Sequence, residues 1–345
     1  MSPRKKDAVT AAAESSADIV QASLPKRTQL ERIPPAVRFT LAVFSSLALS
    51  STLFTLTTGL TLGELSRVSK HLDTWPEVGG LMAWKAVEVG LTWILGYDAR
   101  DVLTLTLLTH LPTYTLLTTF YTIRPTTTLT SYLIILISTT LPFLLRNPSP
   151  TTSLLSTHKN RSILQDGPTT VYTTVAATAI FTVTLYISYA TPWLPQTLVV
   201  HFQDLPDISA VHAGPAGLPG LFMGLLPAGL AVRDFLFVSS AGVAADETPV
   251  TKKKKGGKKE EAKDGEYLIQ TVYRNTWGTL SRKTQVLVSR TVVLAALLLG
   301  NTVVQVAGTV NGADAEGAAA WGGVWAVAAA VTGGLFGWVE AVDGV

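Results

Sequence analysis

The chain has 345 residues, 47% of them apolar and 15% charged, with a formal net charge of +3 and a mean hydropathy of +0.34. An ordinary soluble domain carries about 25% charged residues, so the composition argues against a pair of soluble domains of this combined length. Cysteine is absent, which removes disulfides, thiolate metal sites and thiol chemistry.

Residues 1–36 are polar, with Arg4, Lys5 and Lys6 followed by Asp7, Glu14 and Asp18, and read as a disordered cytosolic tail. They hold no apolar core of the signal-peptide kind, so the first span, Phe39 to Leu62, is expected to act as an uncleaved anchor. Gly79 to Tyr97 is apolar but contains Lys85 and Glu88. A charge at the centre of a spanning helix costs about 2.5–3.5 kcal/mol, so hydropathy alone leaves this segment undecided. Val102 to Ile123 is the third span, rich in Thr, with His110 near its middle and Pro112 beside it. Thr126 to Leu145 and Thr169 to Ala190 are the fourth and fifth. Thr191 to Ala216 carries no Lys or Arg, and its piece Gln196–Phe202 suits the membrane interface.

Leu218 to Val238 is the sixth span, with Pro227 inside it and Arg233-Asp234 near its end. Next comes a basic loop containing Lys252, Lys253, Lys254, Lys255, Lys258 and Lys259, after which Tyr267–Leu280 has the spacing of a surface helix. Val286 to Val310 is the seventh span, with Arg290 near its start. Gly317 to Val339 is the eighth, with Trp321 and Trp338 expected in an interfacial aromatic belt. Each span is about 20 residues, the length that crosses about 30 Å of hydrocarbon. The fold class is therefore all-α, a polytopic transmembrane helical bundle of about eight spans. Four regions follow: the tail 1–36, a six-span membrane region 37–238, the basic cytosolic loop with its surface helix 239–285, and a two-span hairpin 286–345.

Parity decides the doubtful segment. Lys and Arg beside spans are retained on the cytosolic side. With eight spans and a cytosolic N-terminus, 21 of the 27 basic residues fall on that side, against Arg67, Lys70 and Arg124 on the other. Dropping Gly79–Tyr97 would put the lysine loop opposite the basic tail. Both termini are thus expected in the cytosol, and the sequon Asn160-Arg161-Ser162 should stay unglycosylated there.

Lys85, Glu88 and His110 form a candidate intramembrane polar site. Ionisable groups at that depth usually face a bundle interior or a wet cavity. Residues three apart share a helix face, so Lys85 can neutralise Glu88. The four-residue turn Asp98–Asp101 should pack spans two and three as an antiparallel hairpin and bring His110 towards Glu88. Arg233 and Arg290 lie near cytosolic ends, where long side chains reach headgroups. With the six lysines of the loop, they are the candidate contacts for anionic lipid. His201, Asp204, Asp207 and His212 are ligand-type residues for a divalent metal, in an order that matches no metal motif, so no metal or other cofactor is expected. Gly220-x-x-x-Gly224 and Gly333-x-x-x-Gly337 permit close helix approach.

The lysine loop lacks the aromatic interleaving that nucleic-acid binding would need, so the lipid bilayer is the expected partner. The leading expectation is a non-enzymatic membrane protein that organises or binds membrane components. A proton-coupled or small-solute transporter using Glu88 and His110 is the second. A membrane-surface lipid-modifying enzyme is the third. Spans near 20 residues suit the thinner endoplasmic reticulum or another internal membrane.

Overall fold

A computed structural model describes residues 34–61, 63–145, 167–203, 205–240 and 280–342. The chain divides into two units, Met1–Ala42 and Val43–Val345. The first contributes the opening turns of helix α1 (Pro35–Leu56), where Pro35 supplies a fixed φ suited to a helix start and Thr40 donates to the Ala36 carbonyl.

In the second unit, α1 ends at Leu56 and breaks into two short turns, Thr58–Thr61 and Glu64–Val68. The long helices that follow are α2 (Trp75–Ile94), α3 (Ala99–Thr119), α4 (Pro125–Leu145) and α5 (Gly167–Ala190). After the short α6 (Trp193–His201) comes α7 (Leu218–Val232), which runs on into a π-helical turn, Arg233–Val238. The chain closes with α8 (Arg282–Thr309) and α9 (Ala315–Val342). The described secondary structure is helical, apart from two isolated bridges, Ser69 with Val310 and Phe202 with Ala313.

Six of these helices are long and apolar enough to cross a membrane: α1, α4, α5, α7 with its π turn, α8 and α9. The other two long ones, α2 and α3, have 20 and 21 residues, about 30 Å of helix. They fall short in composition, since α2 carries Glu77, Lys85 and Glu88 and α3 is rich in Thr. Yet α3 is more than half buried, with close neighbours in α4, α7 and α8.

Packing explains why α3 sits there. Pro112 deprives its helix of one N–H and disturbs the ladder just before it. Neighbouring helices add bonds to carbonyls around it. Asn301 on α8 donates Nδ2–H to the Thr109 carbonyl at 2.9 Å, and Trp321 on α9 donates its indole N–H to the Pro112 carbonyl at 2.8 Å. The Asn301 carbonyl oxygen in turn accepts from the Trp84 indole on α2 at 2.9 Å. Thr104, Thr115 and Thr118 return their hydroxyls to carbonyls of their own helix, which satisfies them without a partner helix.

Trp321 is therefore not in the interfacial belt expected for it. It is 0% exposed and sits within an aromatic cluster of Phe120, Tyr189 and Trp325. A buried indole N–H needs an acceptor, and the Pro112 carbonyl supplies one inside the bundle. Among the described residues the exposed tryptophans are Trp75, Trp193 and Trp338.

Glycines set the other contacts. A Cβ on Gly333 would lie 2.3 Å from Thr291 Oγ1, so this glycine of the Gly333-Gly337 pair packs against α8. On α7 the close approach is made by Gly229, whose added Cβ would meet Thr178 Oγ1 of α5 at 2.0 Å. Gly220 and Gly224 have nothing within 4 Å and leave an open face. The turn between α8 and α9 needs Gly312, with φ +72°. That turn is clasped on both sides: Lys70 N–H bonds the Thr309 carbonyl at 2.7 Å, and Gln203 N–H bonds the Gly312 carbonyl at 2.9 Å.

Candidate functional site

Two polar clusters lie within the helices. The first joins α2, α3 and α4. Lys85 Nζ lies 3.2 Å from Glu88 Oε2 and 2.7 Å from Thr139 Oγ1, and His110 Nε2 lies 3.8 Å from Glu88 Oε1. The Lys85, Glu88 and His110 side chains are 15%, 10% and 2% exposed. The structure thus brings together the three residues singled out from the sequence, and adds Thr139. His110 Nδ1 lies 3.1 Å from the Thr106 carbonyl. A carbonyl only accepts, so that nitrogen carries a proton and Nε2 is the atom left facing the carboxylate. The contact is made by side chains reaching across: α2 has more of its backbone neighbours in α8 than in α3, unlike the hairpin packing that the short turn suggested. The arrangement is a charge-neutralised contact with one further protonatable atom.

The second cluster lies where α3, α5 and α8 begin and α7 ends. Arg100 Nη2 bonds Asp234 Oδ2 at 2.5 Å, and Arg233 Nη1 bonds Asp234 Oδ1 at 3.0 Å. Arg233 Nη2 reaches Thr170 Oγ1 at 2.8 Å. Arg290 bonds Asp101 Oδ2 at 2.8 Å and the Phe235 carbonyl at 3.1 Å, with its guanidinium 4.8 Å from the Tyr97 ring centroid and 5.0 Å from that of Phe235. Such planar, multi-donor pairing is what Arg does and Lys does not.

This revises the headgroup role expected for Arg233 and Arg290. Arg233 is 2% exposed and the Arg290 side chain 15% exposed. Both are turned inward because two aspartates offer fixed acceptors there. Sequence reasoning missed Arg100, Asp101 and Asn301 as partners. The available signal was Asn301 itself, an amide following the uncharged run Val292–Gly300 of α8. The lysines Lys252 to Lys255, Lys258 and Lys259 lie outside the described residues, as does all of the expected surface helix except Leu280.

The members of the sequence-level metal cluster find separate partners. His201 Nδ1 pairs with Asp314 Oδ2 at 2.7 Å. Asp207 accepts from the Ser209 N–H at 2.7 Å, and His212 Nδ1 lies 3.3 Å from the Ile208 carbonyl. Asp204 lies outside the described residues. Among the described residues no group of three or more His, Asp or Glu is arranged to hold a metal ion. The Asp314 carboxyl is held below the usual carboxylate range, first by the Gly317 N–H and then by His201.

Residues 166–304 match the family model of the Bouquet formation protein 3 C-terminal domain. The match runs from α5 into α8, so it contains Arg233, Asp234 and Arg290 and leaves Lys85, Glu88 and His110 outside. No curated protein and no solved structure matches the chain.

Proposed function

We propose that the chain is an eight-span protein of an internal eukaryotic membrane such as the endoplasmic reticulum. Both termini lie in the cytosol, and the protein organises or binds other membrane components without turning over a substrate. One observation carries the span count: α2 and α3 run end to end with helices apolar enough to cross. In the first turn of α3, Arg100 pairs with Asp234 in the π turn that follows α7, and at its far end the carbonyl of the capping residue Phe120 accepts from the Asp207 N–H before α7 starts. α2 is preceded by Lys70, bonded to the last residue of α8, and followed by Tyr97, under Arg290 near the start of α8. Helices that share both ends with spans share their path through the bilayer.

The organising role is supported by an interior filled with packed side chains, Trp321, Trp325, Phe120 and Phe181 among them, and by the outward glycine face at Gly220 and Gly224. The matched family is named for the formation of a structure, not for a reaction. Reconstituted protein is expected to add no proton or solute flux to vesicles, with wild type and Glu88→Ala alike. Flux that is present in wild type and lost in Glu88→Ala, under conditions where that variant stays folded, would instead support a second reading, a proton-coupled carrier. That reading is favoured by one contact, Glu88 with His110.

A further inference from the structure

Between α2 and α8 an open groove of about 550 Å³ runs along the outside of the bundle, within the ~300–1,000 Å³ usual for small-molecule sites. Its walls are apolar, from Leu81, Trp84, Val87, Val304 and Ala307, and its rim carries Lys70 and Glu77. No role described above uses it.

Three features identify what fits. First, the groove extends along α2 from Glu77 to Val87, ten residues or about 15 Å of helix. That is half of a hydrocarbon core of about 30 Å, the depth of one leaflet. Second, all the charge is at one end. Lys70 Nζ and Glu77 Oε1 stand 3.5 Å apart with side chains 43% and 36% exposed, so both remain open to a ligand. One cation beside one anion complements a zwitterion and not a simple anion. Third, Trp75 at the same end of α2 is 89% exposed, and an indole face attracts a quaternary ammonium.

The geometry points to a binding site for a zwitterionic glycerophospholipid of the non-cytosolic leaflet, with one acyl chain in the groove, phosphate at Lys70 and ammonium at Glu77. The leaflet assignment rests on the eight-span reading; the groove and its charges do not. Lys70 is held at the rim by its backbone bond to Thr309, so the headgroup site is tied to the C-terminal end of α8.

Native mass spectrometry of the full chain in detergent, given equal amounts of dioleoyl phosphatidylcholine and dioleoyl phosphatidylglycerol, tests this. Wild type should retain one phosphatidylcholine in preference to phosphatidylglycerol. Glu77→Gln, which frees Lys70, should turn the preference towards phosphatidylglycerol by about fivefold, the ratio equivalent to ~1 kcal/mol for one surface charge. Gly80→Leu should empty the groove of either lipid. Gly80 lines it, and an added Cβ meets nothing within 4 Å, so the fold has room for the change. Equal retention of both lipids by wild type, an unmoved preference in Glu77→Gln, or undiminished retention by Gly80→Leu would each overturn the site. Labelling of Asp73→Cys from the cytosolic side would instead overturn the leaflet and the topology behind it, leaving the groove's selectivity standing.

Discussion

α3 and α5 are held in the same bundle by opposite means. α5 is apolar enough to be read as a span and buries six of its 24 residues. α3 is not, yet it buries 11 of 21. α5 is fixed by backbone proximity, with Gly229 of α7 pressed onto Thr178. α3 is fixed by polar side chains that neighbouring helices direct at it, from Asn301, Trp321 and Glu88. The lesson is that hydropathy measures how much of a helix faces lipid. A helix surrounded by other helices is released from that requirement and is free to carry Thr, His and Pro, provided its polar groups are satisfied inside the bundle.

Substitutions can break this contrast at either end. The largest effect is expected for Glu88→Ala, which strips Lys85, its side chain only 15% exposed, of its counter-charge. Removing one partner of a buried pair costs about 3–5 kcal/mol, read as a lowered unfolding midpoint in detergent. Converting both residues to leucine should recover most of the loss. If the single and double variants unfold alike, Lys85 is not buried with Glu88 as described.

Gly229→Ala comes next. Overpacking costs about 1–3 kcal/mol, and the loss should appear as separation of α5 from α7 in disulfide cross-linking between cysteines placed on the two helices. Asn301→Leu removes two bonds to α3 and α2. Buried polar contacts in membrane bundles average about 0.6 kcal/mol, up to ~1.7, so a loss of about 1–3 kcal/mol is expected for the pair. Gly220→Ala, on the open face of α7, should leave stability unchanged or raise it by up to about 1 kcal/mol through helix propensity.

The smallest effect concerns Asp314. Its carboxyl is held below its ordinary value in the folded protein, so its contribution is present above the unfolded value, about 3.9, and is lost as pH falls through the folded one. In Asp314→Asn the dependence of thermal stability on pH should therefore flatten slightly below about pH 4, and stability at neutral pH should be slightly lower than in wild type.

Much of this was legible in the sequence because membrane spans announce themselves by length. Each long helix was foreseen, with ends displaced by a few residues where Pro35, Trp75 or Pro125 opens a turn ahead of the apolar run. Lys85, Glu88 and His110 were legible because a charge in an apolar segment is conspicuous. The arginine cluster was not, since its partners are scattered: Arg100, Asp101, Thr170, Asp234 and Arg290 meet only when four helix ends converge. Local spacing carries no trace of that. Trp321 failed for the same reason, because a tryptophan near the end of a span looks interfacial until the Pro112 carbonyl of α3 is seen to receive it.

The most direct test concerns the turn between α2 and α3. The chain has no cysteine, so single-cysteine variants report position without background. In sealed vesicles of known orientation, Leu95→Cys should react with an impermeant maleimide from the cytosolic side, and Asp73→Cys should be protected. Reaction of both residues only from the opposite side would mean that α2 and α3 do not cross, and would contradict the eight-span account.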